Sequence, residues 1–212
     1  RLFSTALEQS VEKTEDLQTL QQLDRALYGA ESMLSALLDI ARLEGGTIQP
    51  KRQAYSLHDL LNDLELQFKS IAAQRNIQLS VHDTRFWVDT DPQWMRRIIQ
   101  NFVSNALRYT AQGRVVVGVL RSAQRPNHIR IGVWDTGPGI NEQQRVKLFQ
   151  EFERCGHTSP WGEQGLGLGL AIVQRMTSLL DFPVHVYSEL GKGSCFIIEM
   201  PLAEAPQQQA PT

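Results

Sequence analysis

The sequence predicts an α+β protein, a helical hairpin followed by a mixed domain of strands and helices. Residues 1–44 contain no proline and no glycine before Gly29, and their apolar residues recur at helical intervals. Gly45-Gly46 and Pro50 then break that pattern as helix terminators do. Beyond them, alternating apolar runs of strand length are interspersed with amphipathic helical stretches and glycine-rich turns.

In the first segment Leu20, Leu23, Leu27, Ala30, Leu34, Leu37 and Ala41 alternate steps of three and four, the heptad seam of a coiled coil or four-helix bundle. A shorter helix carrying Leu2, Phe3, Ala6 and Leu7 precedes it, with the polar run 10–16 as the turn. Such a hairpin has too small a core to stand alone, so dimerisation through residues 1–44 is expected. Residues 45–54 read as a linker. Helix resumes over 57–73, with Leu57, Leu60, Leu61, Leu64 and Phe68 on one face, and strands follow at 77–81 and 86–88.

Asp91-Pro92 is a helix start, with aspartate as N-cap and proline at the first helical position. The helix it launches buries a stripe of Ile98, Ile99, Phe102, Val103 and Ala106 and ends before Gly113. Strands are expected at 114–120 and 128–134 and a helix at 141–149. Residues 150–164 lack periodicity and read as a long lid-like loop. A glycine run then leads into an apolar helix at 170–180, and strands at 184–188 and 194–200 close the domain. Residues 203–212, rich in Ala, Pro and Gln, read as a flexible tail or linker.

At 212 residues and 42% hydrophobic content the chain has material for a real core. A net charge of −2 gives no global argument for nucleic acid or an anionic membrane. No apolar run reaches membrane-spanning length, so no membrane contact is expected within this stretch. Cys155 and Cys195 are widely spaced and read as reduced thiols of a cytoplasmic protein. The chain opens at Arg1 in mid-pattern and reads as a piece of something longer, whose missing part could carry a membrane anchor.

On the 91–110 helix Asn101 and Asn105 stand four residues apart, with Arg108 one turn further on the same side. Alone, they fit a decorated surface helix as well as a site. Asp135 ends an apolar strand before Gly137 and Gly139; it reads either as a capped turn or as a carboxylate able to accept from an exocyclic amine beside a close-approaching backbone. Gly165-Leu166-Gly167-Leu168-Gly169 precedes a helix directly, so its amides can meet phosphate, or it can serve as a hinge. Its spacing does not match a dinucleotide fingerprint, and Gly191-Lys192-Gly193-Ser194 lacks the upstream glycine of a phosphate loop of the Walker type and has an intervening residue.

Taken in order, Asn101-x-x-x-Asn105-Ala-x-Arg-Tyr-Thr, Asp135-x-Gly-x-Gly, Leu148-Phe149-x-x-Phe152 and Gly165-x-Gly-x-Gly-Leu-x-Ile-Val resemble the N, G1, F and G2 boxes of two-component sensor histidine kinases. The wider superfamily includes DNA gyrase and mismatch-repair ATPases. The resemblance implies that residues 55–202 form an ATP-binding catalytic domain, a two-layer α/β sandwich with a mixed sheet covered by helices on one face. It implies that 1–44 are a truncated dimerisation and phosphotransfer hairpin, forming a four-helix bundle in a homodimer.

Carried over residue by residue, Asn105 supplies an oxygen to Mg2+ and Asn101 supports it. Arg108, where the family commonly has Lys, contacts phosphate; Tyr109 lies against the base. Asp135 reads the adenine amine, with clearance from Gly137 and Gly139. Gly165, Leu166, Gly167 and Gly169 form the phosphate-facing hinge, and Phe149 and Phe152 anchor the loop's entry or pack in the core. The implied activity is a protein-histidine kinase relaying phosphate to a response regulator receiver domain. Where ATP-hydrolysing relatives carry a general-base Glu, this chain has Asn101, which cannot accept a proton. His58, His82, His128, His157 and His185 all lie outside the hairpin, so the acceptor is expected upstream of Arg1. The alternatives are an ATPase driving a conformational cycle and a degenerate nucleotide-binding dimeric scaffold.

Overall fold

The computed structural model describes residues 34, 38, 49–153, 159–161 and 167–206. The chain divides into two compact units, residues 1–47 and 48–212. In the first, the described residues are Leu34 and Leu38, both helical and exposed. The rest of the predicted hairpin, the end of the long loop and most of the tail lie outside the described residues.

The second unit runs β1 (Gln53–Ser56), α1 (Leu57–Gln74), β2 (Ile77–Val81), β3 (Trp87–Thr90), α2 (Pro92–Tyr109), β4 (Gly113–Arg121), β5 (His128–Asp135), α3 (Glu142–Lys147), α4 (Gly169–Leu180), β6 (Val184–Glu189) and β7 (Gly193–Ala203). The seven strands form one mixed sheet, six of them in the order β1-β3-β7-β5-β4-β2 and β6 paired to β7 off that path. β2 runs parallel to β4, and every other pair is antiparallel. Strand β7 organises the sheet. One edge pairs with β5 along residues 194–201, while the other takes β6 at 193–198 and β3 at 202–203.

Alternation along the strands sends Val115, Val117, Ile129, Ile131, Val133, Phe196, Ile198 and Met200 to one face, all buried. The buried stripes of α1, α2 and α4 cover that face and make the second layer. Phe102 at the middle of α2 meets Phe196 of β7 with ring centroids 5.3 Å apart.

The ends of α2 follow its sequence. Asp91 caps it, accepting from the amides of Gln93 and Trp94 through Oδ1 and from Lys51 through Oδ2. Thr110 closes it, its amide donating to the Ala106 carbonyl. β1 has no counterpart in the sequence reading. The helix expected over 141–149 is shorter, because a capping box of Asn141 and Gln144 starts it while none of its residues is buried to prolong it.

Candidate functional site

Four elements place polar groups along one side of α2. Asn101, Asn105, Arg108 and Tyr109 are half-buried on it, while the positions between them sink into the core. The side chains of Arg96 and Gln100, on a neighbouring stripe, are committed to α1 through Asp63 and Gln67. Asn105 differs: its half-buried carboxamide makes no hydrogen bond among the described residues, which leaves it open to water or to a ligand.

Asn101 is committed to the protein itself. Its Nδ2 donates to the Arg97 carbonyl at 3.0 Å. Its Oδ1 lies so close to Gly169 that a Cβ there would overlap it. Gly169 is the first residue of α4, and no side chain caps that helix. The N-terminal amides of α4 therefore open beside Asn101, one turn of α2 away from Asn105.

At the C-terminal end of α2, Asp135 finishes β5. Its Oδ1 accepts the Gly137 amide at 2.8 Å, and the Ser194 amide also donates to the carboxylate. Burial pushes its pKa above the ordinary carboxylate value, and these two hydrogen bonds only partly oppose that. Burial, with the Asp135 charge behind it, also pushes the Cys195 thiol up to about 12, leaving it a buried inert thiol. A Cβ on Gly137 would stand 2.8 Å from Asp135 Oδ1 and 3.3 Å from Thr110 Oγ1. Thr110 is fully buried, and its hydroxyl has no partner among the described residues. A carboxylate and a hydroxyl thus converge on the backbone of Gly137.

The glycines also have close neighbours within the protein. Gly139, at φ 71, packs against the carbonyl of Glu189, and Gly167, at φ 72, against the backbone of Phe152 and Glu153. Gly165 and Leu166 lie outside the described residues. Phe152 is 58% exposed and itself adopts φ 61, so core packing does not describe it; its amide donates to the Gly167 carbonyl at 3.1 Å and closes the neck of the long loop. Phe149 is half-buried and lines a cavity of about 300 Å³ at the C-terminal end of α4, away from Asn105.

Sequence reasoning missed Thr110, Arg75, Ser159 and Trp161. Ser159 Oγ donates to the Arg108 carbonyl at 3.0 Å, and Arg75 Nη1 donates to the Leu107 carbonyl at 3.2 Å. Thr110 was visible only as the residue after Tyr109. Arg75 and Ser159 act on main-chain carbonyls, Trp161 meets the Arg75 guanidinium through its ring, and none carries a motif.

The donor set fits a hard cation held with phosphate. No group of three or more His, Cys, Asp or Glu among the described residues could hold a metal alone. A free amide oxygen on Asn105, one helical turn from the uncapped start of α4, instead suits an ion that keeps waters and shares phosphate oxygens.

A family model described as histidine kinase-, DNA gyrase B- and HSP90-like ATPase matches residues 90–204, more than half of the chain. The autoinducer 2 sensor kinase/phosphatase LuxQ of Vibrio vulnificus strain YJ016 is 31% identical over 208 residues, 93% of this chain and 24% of that protein. The sensor protein GacS of Pseudomonas syringae pv. syringae is 28% identical, over 98% of this chain and 23% of its own length. The chain therefore spans about a quarter of these relatives. Among solved structures, full-length ShkA in complex with AMPPNP aligns with a TM-score of 0.76 at 27% identity, covering 96% of this chain and 42% of that one.

Proposed function

Because the chain belongs to the family of histidine kinase-, DNA gyrase B- and HSP90-like ATPases, we propose that it is the Mg-ATP-binding catalytic portion of a sensor histidine kinase. The observation that carries this reading is Asn105, half-buried on the polar side of α2 with its carboxamide bonded to no described residue, one helical turn from Asn101, which touches the first residue of α4. The adenine amine donates to Asp135, beside Gly137 and Thr110. Tyr109 lies against the base. Arg108 neutralises phosphate with a planar fork where a lysine would give a point charge. The α4 amides meet the terminal phosphates, with Gly167 and Gly169 as the described part of the hinge.

Asn105 would hold Mg2+ together with the phosphates, and the bound ion would supply charge neutralisation for the transfer. Asn101 positions Gly169 and offers no base to activate water, which favours transfer to a protein side chain over hydrolysis. The acceptor is a histidine outside this sequence, presented in a homodimer built on the hairpin of residues 1–44, and the phosphoryl group passes on to a receiver domain. No helix among the described residues is long and apolar enough to cross a membrane.

Calorimetric titration of the protein with a non-hydrolysable ATP analogue, with and without Mg2+, tests the reading. Metal-dependent binding is expected, and Asn105→Ala should abolish the metal dependence while retaining weak metal-free binding. Equal binding by wild type and Asn105→Ala in Mg2+ would overturn it.

A further inference from the structure

The turn that follows Asp135 is held from outside by the hairpin of β6 and β7. Residues 136–140 lead from β5 towards α3 and carry Gly137, whose amide fixes Asp135 Oδ1. The hairpin fastens this turn at successive residues. The Gly191 amide donates to the Pro138 carbonyl at 2.7 Å. Gly139 lies against the Glu189 carbonyl, where a Cβ would overlap it. The Ile140 amide donates to the Ser188 hydroxyl at 2.8 Å.

Of these anchors Ser188 alone acts through a side chain. Its Oγ also donates to the Gly193 carbonyl at 3.0 Å and lies 3.0 Å from the Ser194 Oγ. A hydroxyl has one proton to give and two lone pairs to offer. With the proton on the Gly193 carbonyl, the Ile140 amide and the Ser194 hydroxyl donate to the lone pairs, and the capacity of Ser188 is filled. Ser194 in turn gives its amide to the Asp135 carboxylate. Gly193 packs so closely on Asp135 that a Cβ would overlap the Asp135 carbonyl oxygen. One hydroxyl thus joins both sides of the cradle around Asp135, the turn that bears Gly137 and the start of β7 that supplies the second amide. Burial works against the charge on Asp135, and those two amides oppose it, so their placement governs how the carboxylate is presented.

We propose that Ser188 is a positioning residue that sets how well Asp135 discriminates an adenine base from one lacking the exocyclic amine. This rests on the nucleotide reading above. By holding the turn and the start of β7 in register, the Ser188 hydroxyl gives the remaining lone pairs of Asp135 a fixed direction. An amine donating along that direction is accepted. A base with a carbonyl there sets oxygen against oxygen and leaves the carboxylate unpaired. Without the hydroxyl, the Ile140 amide and the Gly193 carbonyl lose a partner, the turn and the strand are free to shift apart, and the direction is lost. The phosphates meet other groups and are held as before.

The test is calorimetric titration of the whole chain, in Mg2+, with ADP and with inosine diphosphate, in which a carbonyl replaces the amine. Wild type is expected to favour ADP by about tenfold or more. Ser188→Ala should weaken ADP about tenfold and inosine diphosphate by no more than about twofold, so that the preference largely vanishes. Ser188→Thr, which keeps the hydroxyl, should retain the preference within about threefold. Equal loss of affinity for both nucleotides in Ser188→Ala would give Ser188 a general structural role and overturn the proposal, as would an undiminished preference. Should circular dichroism show that Ser188→Ala does not fold, Ser188→Cys is read in its place against the same outcomes, since a thiol is only a weak donor and acceptor. Wild type that binds neither nucleotide would bring down the nucleotide reading itself. Wild type that binds both alike would leave nucleotide binding standing and overturn the roles given to Asp135 and Ser188.

Discussion

The two halves of α2 share one buried stripe and differ in everything polar. In the first half the cap and the two long polar side chains facing α1 all have partners. Asp91 holds three amides, Arg96 meets Asp63 and Gln100 meets Gln67. In the second half the Asn105 carboxamide and the Thr110 hydroxyl have no partners among the described residues, and the carbonyls of Leu107 and Arg108 are held by groups from α1 and the long loop. Buried hydroxyls without a partner among the described residues flank both ends, Thr90 and Thr110, so it is the free Asn105 carboxamide that sets the second half apart, as a group a ligand can satisfy. The apolar stripe lets the helix carry both.

The stripe itself is the largest target. Phe102 is fully buried against Phe196, so Phe102→Ala should destabilise the domain by about 3–5 kcal/mol, enough to take a marginal domain close to unfolding. Urea denaturation followed by circular dichroism would measure it. A loss below about 1 kcal/mol would mean that the site collapses to fill the space.

A smaller change separates the halves. Asp91→Ala removes the cap and three hydrogen bonds from the first half and should cost about 1–2 kcal/mol. Because the second half is held from the sheet and from the loop, nucleotide affinity in the folded protein should stay within about twofold. Affinity falling in step with stability would show that the two halves are not independent.

The sequence made the first half of α2 legible, since Asp-Pro and a helical stripe are local signals that burial reinforces. The second half was legible only in part. Asn105, Asp135 and the glycines stood out by type and order, yet the glycines proved to answer close contacts within the protein: Glu189 at Gly139, Phe152 and Glu153 at Gly167, Asn101 at Gly169. β1 escaped notice because four residues are too few to show alternation; it is a strand by virtue of pairing with β3, some thirty residues on. β7 outran its expected end for the same reason, as Leu202 and Ala203 pair with β3. The ties of Arg75 and Ser159 to the end of α2 were invisible because both bond to carbonyls, which every residue has.

The smallest expected effect lies far from the site, where His58 at the start of α1 is joined to Asp83 in the β2–β3 loop. The hydrogen bond and charge of Asp83 raise the His58 pKa above its ordinary value, and the hydrogen bond of His58 and that of the Thr84 amide lower that of Asp83. A raised histidine stabilises fully below its unfolded value of 6.5, and that contribution disappears as pH climbs through the folded value. A lowered aspartate stabilises above 3.8 and loses its effect as pH drops through its folded value. The pair therefore works between those limits, and its exposure keeps it weak. Asp83→Asn should lower the urea midpoint slightly at pH 6 and hardly at all at pH 8. An equal effect at both would assign the loss to the Thr84 turn and not to the ion pair. Nucleotide affinity should be untouched at either pH, because the pair sits at the end of α1 opposite Arg75 and leaves the α2 carbonyls alone.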